Sequence, residues 1–94
     1  MKIVFLPSAA SGLAWFRRYY TTAFPEGARN ASLQFEAVKR VLESNPQAGR
    51  AVEGRETRIY IVPRTPFAII YRLRDGRIEI MAVHDQRSDP SRTS

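Results

Sequence analysis

The chain predicts an α+β domain of order β-α-α-β-β-β, a helical hairpin packed on one face of a mostly antiparallel sheet. Three observations predict it. Apolar residues recur at helical spacing between about residues 9 and 44, apolar and polar residues alternate with period two between about 55 and 84, and Asp75-Gly76 separates two of the alternating runs.

Lys2 to Leu6 (KIVFL) reads as a short buried strand that Pro7 stops, with Ser8 able to cap the helix after it. Ala9 to about Ala23 is the first helix. Leu13, Phe16 and Tyr20 fall on one face, and Trp15 and Tyr19 form an aromatic pair beside it. Gly12 weakens its first turn by about 1 kcal/mol relative to Ala. Phe24-Pro25-Glu26-Gly27 is a turn. The second helix spans Ala28 to Ser44, with Phe35, Val38 and Leu42 as its main stripe, widened by Ala31 and Val41. It ends at Asn45-Pro46, because a residue before proline avoids helical dihedrals.

Gln47 to Gly54 reads as a loop, in which Gly49 and Gly54, like Asn45 and Pro46 before them, are structural punctuation. Three strands come next. Arg55 to Val62 sets Ile59 and Ile61 against Arg58, Tyr60 and Val62. Phe67 to Arg74 sets Phe67, Ile69, Tyr71 and Leu73 against Ala68, Ile70, Arg72 and Arg74. Arg77 to His84 sets Ile78, Ile80, Ala82 and His84 against Arg77, Glu79, Met81 and Val83. Asp75-Gly76 predicts a type I′ hairpin turn, and Pro63-Arg64-Thr65-Pro66 a wider loop. The helices cover one sheet face and leave the other open to water.

The 94 residues form one domain over 1–90 with a polar tail over 91–94. Lys and Arg number 15 against 9 acids, a net charge of +6, and only Lys2 and Lys39 among the cations are not arginine. Arginine suits bidentate contact with carboxylate or phosphate. Without cysteine there is no disulfide and no thiolate zinc site, which fits a cytoplasmic setting. No apolar run approaches the roughly 20 residues of a membrane span, and the N-terminal run is too short for a signal peptide. A single histidine and scattered carboxylates predict no metal and no cofactor.

Three segments carry a resemblance. FLPSAASGL opens the first helix, LESNPQAGRAVEG closes the second, and FAIIYRLRDGRIEIMAVHDQRSDP joins paired strands to a His-x-x-Arg-x-Asp-Pro ending. In this order, over about residues 2 to 90, they resemble the ParE/RelE toxin superfamily. The Asn-Pro-x-x-Gly-Arg and His-x-x-Arg-x-Asp-Pro segments are closer to its ParE branch. The resemblance implies the toxin of a type II toxin-antitoxin system, wrapped by an extended or helical segment of a cognate antitoxin in a hetero-oligomer. The ParE branch acts on DNA gyrase by protein–protein contact. The RelE branch, the alternative, cleaves mRNA on the ribosome. A degenerate member kept as a regulatory partner of its antitoxin is a third reading.

The candidate residues divide along the same lines. Arg58, Tyr60, Arg72, Arg74, His84 and Arg87 are the partner-binding set. Arg58, Arg72 and Arg74 stand opposite the main apolar stripes, and His84 and Arg87 stand where the last strand leaves the sheet. Each also has a plainer reading, the arginines as solvated charge and His84 as a strand-end residue bonded to backbone or to Asp85. RNA cleavage needs a base, an acid and a cation. For that chemistry the candidates are His84, Tyr60 or Tyr71, and Arg58, Arg64, Arg72 or Arg87. The middle strands lack Lys and His, and nothing after Arg87 supplies a Tyr or His, which argues against the nuclease. Tyr71 falls on an apolar face and reads as core. Trp15 and Tyr19 read as packing between helices or, if exposed, as an anchor for a partner.

Overall fold

A computed structural model describes residues 1–88. Asp89, Pro90 and the tail over 91–94 lie outside the described residues. Five strands form one mixed sheet, β1 (Lys2–Phe5), β2 (Arg50–Ala51), β3 (Arg58–Ile61), β4 (Phe67–Arg74) and β5 (Arg77–Asp85), in the order β1-β5-β4-β3-β2. Helices α1 (Ala10–Arg18) and α2 (Ala28–Ser44) connect β1 at one edge to β2 at the other. The chain then returns by antiparallel pairing until β5 lies parallel to β1.

The helical period buries Phe16 and Tyr20 on the α1 side, and Ala31, Phe35, Val38 and Leu42 on α2. They meet Phe67, Ile69 and Tyr71 of β4 and Ile78, Ile80 and Val83 of β5. Phe16 sits at the centre, its ring 5.0 Å from Phe35 and 4.9 Å from Phe67 between centroids. Each such side chain contributes about 1.5–3 kcal/mol of apolar burial. The Asp75-Gly76 turn takes φ of 54° and 72°, as a type I′ hairpin requires. Asn45, at φ −140°, ends α2 before Pro46.

The structure differs from expectation in four places. The first helix is composite: a 3-10 turn at Pro7–Ala9, α1, then a π-helical turn at Tyr19–Ala23. Ser8 caps nothing, and its hydroxyl instead donates to the Met81 carbonyl at 2.6 Å. The 47–54 loop contains β2, whose two residues pair with Ile59 and Arg58. In β3 the apolar pair Ile59 and Ile61 faces the open side, because Tyr60 and Val62 are the residues that meet the core.

The fourth difference is a β-bulge in β5. Ile70 pairs with Ala82 but Tyr71 pairs with Ile80, so Met81 is an extra residue. One extra residue reverses the alternation. Val83 and Asp85 therefore join Ile78 and Ile80 on the helix side, while Ala82 and His84 face outward with Glu79. The helical segment fits β5 closely just past the bulge. A Cβ on Gly12 would lie 1.9 Å from the Val83 carbonyl oxygen, which explains a glycine inside a helix.

Candidate functional site

The open face divides into an apolar half and a charged half. Ile59, Ile61, Ala68, Ile70 and Ala82 share that face at the β3–β4–β5 end. All of these but Ala82 border a groove of about 560 Å³, which Ala48, Tyr60, Pro63 and Gln86 also line and which Arg50 and His84 enter. Arg50 is exposed and in no ion pair among the described residues. His84 is half-buried and stands opposite Ala68, with no hydrogen-bond partner among the described residues. It does not bond Asp85, because successive strand residues point to opposite faces.

The charged half is largely self-neutralised. Glu79, 3% exposed, accepts from Arg72 Nε at 2.7 Å and from Arg77 Nη2 at 2.8 Å. The Arg72 hydrogen bond holds the Glu79 carboxyl below its ordinary pKa against the opposing effect of burial, and Arg77 adds to it. Arg74 pairs with Glu56 at 2.6 Å. Arg72 and Arg74 therefore do face outward as expected, but each already holds a carboxylate.

The remaining expected residues lie elsewhere. Arg58 pairs across the sheet with Tyr71 on the helix side. Its Nη1 donates to the carbonyls of Gln47 (3.1 Å) and Gly49 (2.8 Å). Tyr60 packs against the core. Tyr71, fully buried as expected, donates its hydroxyl to the Pro46 carbonyl at 2.7 Å and accepts from the Gly49 N–H at 2.8 Å. Asn-Pro-x-x-Gly-Arg is thus a segment that Tyr71 and Arg58 clamp to the sheet end, and it delivers Arg50 to the groove. Sequence reasoning reads its residues as punctuation and misses Arg50. The arginine directly after that glycine is the available signal. Arg64, at φ 61° in the β3–β4 turn, is exposed.

Arg87 folds back onto α1. Its Nε donates to Asp85 Oδ1 at 3.1 Å, its Nη2 to Oδ2 at 3.0 Å and its Nη1 to the Tyr19 hydroxyl at 3.0 Å. Its guanidinium carbon also lies 4.4 Å from the Tyr19 ring centroid. Trp15 Nε1 donates to the same carboxylate at 2.9 Å. Arg87, followed by the Trp15 hydrogen bond, holds the Asp85 carboxyl at a pKa of about 2. The Trp15–Tyr19 pair thus serves as an anchor for the turn that follows β5. The residues named for a nuclease are divided: His84 faces outward, Tyr60 packs against the core yet also lines the groove, Arg58 faces the helices, and Arg87 is tied to Asp85.

The comparisons agree with this architecture. A family model described as "ParE toxin of type II toxin-antitoxin system, parDE" matches residues 3–90. A chain of the solved structure described as "Chromosomal ParDE TA system from P. aeruginosa" is 26% identical, with a TM-score of 0.69. That match covers 90% of this chain and 95% of the other. A search among curated proteins found no match.

Proposed function

Since this chain belongs to the ParE toxin family of type II toxin-antitoxin systems, we propose that it inhibits DNA gyrase by protein–protein contact until a cognate antitoxin covers its open sheet face. The observation that carries the reading is the outward groove, apolar between Ile59 and Ile70, with the Arg50 guanidinium and the His84 imidazole at its border. A segment with apolar anchors and acidic flanks complements it. The contact reading is preferred over catalysis because His84 has aliphatic neighbours on its face, Ala68 and Ala82, and its side chain bonds no acid or base among the described residues.

Partner contact is assigned first to Arg50, His84 and the outward isoleucines. Arg72 and Arg74 belong to the same face as a fixed, paired border. Inducible expression tests the target, with supercoiling by gyrase and mRNA integrity followed in the same cells. Supercoiling should fall while mRNA stays intact. Codon-specific mRNA cuts with normal supercoiling would replace this reading with the nuclease.

A further inference from the structure

Helix α2 carries a second apolar stripe on the side away from the sheet. Its buried residues are Ala31, Phe35, Val38 and Leu42. At about 3.6 residues per turn, Leu33, Ala37 and Val41 fall on the outward side. Leu33 is 60% exposed, more than any other large apolar side chain among the described residues, and Val41 is 39% exposed. The described chain leaves this stripe uncovered.

The stripe is symmetric about its centre. Leu33 and Val41 each stand four residues from Ala37, about 6 Å along the helix. The small Ala37 side chain lets a second helix approach closely there. Along one flank of the stripe the charges alternate in the order Arg29, Glu36, Arg40, Glu43, and all four are exposed. Glu36 holds Lys39 at 2.8 Å, whereas Arg29, Arg40 and Glu43 are in no ion pair among the described residues.

We propose that α2 is the contact between two copies of this chain, paired antiparallel about a two-fold axis beside Ala37. Each Leu33 then packs on the partner's Val41. The axis also sets the charged flank against its own reversed copy. Arg40 meets the partner's Glu36, and Arg29 meets the partner's Glu43, each within two residues of level. Parallel pairing would instead set every charge against its like, which costs energy. A charge order that complements its own reversal fits a second copy better than a partner of unrelated sequence. The contact lies in the helical layer, so it is independent of what covers the open sheet face. One pair of 17-residue helices is smaller than a standard interface, and the association is weak and concentration-dependent.

Sedimentation of the purified full chain across the micromolar range should show a monomer–dimer equilibrium. Leu33→Glu should weaken it roughly tenfold or more, since two leucines leave each interface. Its circular dichroism spectrum should stay that of the parent, because the position is exposed. Glu36→Arg and Arg40→Glu should each weaken association severalfold at low salt. Mixed in equal amounts, these two variants should associate more tightly than either alone, because the mixture sets two arginines of one chain against two glutamates of the other. The sequence has no cysteine, so Ala37→Cys supplies a single thiol beside the axis, within disulfide reach of its own copy. Mild oxidation should link that variant into a dimer and leave Ala51→Cys, on exposed β2, unlinked.

A chain that stays monomeric throughout that range, with Ala37→Cys unlinked, overturns the proposal. A dimer that Leu33→Glu leaves intact places the contact elsewhere and overturns it as well. Mixed charge variants that associate no more tightly than each alone overturn the antiparallel pairing. Should Leu33→Glu fail to fold, the mixing experiment and the introduced thiol decide.

Discussion

Asp85 and His84 are neighbours in sequence with opposite fates. Asp85 turns inward and collects Arg87 and Trp15, while His84 turns outward into the groove. Asp85 holds a pKa of about 2 against an ordinary 3.8, so its ionised form is favoured by folding. The stabilisation is complete above the unfolded value and is lost as pH falls from about 4 to 2. Because Arg87 is half exposed, this is worth about 1–2 kcal/mol, less than the shift alone converts to. Urea unfolding across pH 2.5–7 should show Asp85→Asn losing that amount at neutral pH and flattening the acid limb. Some acid sensitivity should remain from Glu79, shifted in the same direction. An Asp85→Asn protein as stable as the parent at pH 7 would dismiss this carboxylate as a fastener. For His84, substitution by Ala should leave the circular dichroism spectrum unchanged and, under contact inhibition, weaken growth arrest by no more than the few-fold loss of one contact. Loss by the 10²–10⁴-fold of acid–base catalysis would point to a nuclease. Arg87→Glu is a poor companion test, since it places a second carboxylate against Asp85.

At the scale of elements, two close approaches hold the fold where pattern alone predicts nothing unusual. Gly12→Ala should improve helix propensity by about 1 kcal/mol. It nevertheless drives a Cβ into the Val83 carbonyl, whose backbone is held in the β5 ladder opposite Ile69 and cannot swing aside. A net loss of about 1–3 kcal/mol is expected, and a gain in melting temperature would show that the helix and strand are less tightly joined. Tyr71→Phe leaves the Pro46 carbonyl and Gly49 N–H without their partner, at about 1–3 kcal/mol. Each kcal/mol should appear as a drop of roughly 4–8 °C in melting temperature. These elements also show what the sequence could reveal. Phe67 to Arg74 carries Arg72 and Arg74 at one parity only, so its inward residues were readable, and so were the Asp75-Gly76 turn and the limits of α2. In Met81-Ala82-Val83 both parities are apolar, so alternation carries no sign of the bulge that reverses His84. Arg58 was misplaced for the same reason, since Ile59 and Ile61 on one side compete with Tyr60 and Val62 on the other. β2 is two exposed residues long and has no period to detect.

For the whole molecule, the net charge of +6 sets how partners arrive more than how tightly they stay. The open face itself is uneven. Three of its arginines are tied to Glu79 and Glu56, whereas Arg50 is left unpaired at the groove among the described residues. Charge reversal at Arg50 should therefore slow antitoxin association severalfold at low salt. The difference should shrink as salt rises and the screening length falls to about 3 Å at 1 M. Arg58→Glu should behave differently. Its side chain faces the helices and donates to two carbonyls of the 47–49 segment, so its loss should lower stability and loosen the wall that carries Arg50. That defect should persist at high salt, because it is one of structure and not of steering. Stopped-flow association from 0.05 to 1 M salt, paired with urea unfolding of each variant, separates the two. Identical salt slopes for Arg50→Glu and the parent would mean that the antitoxin approaches another face of the molecule.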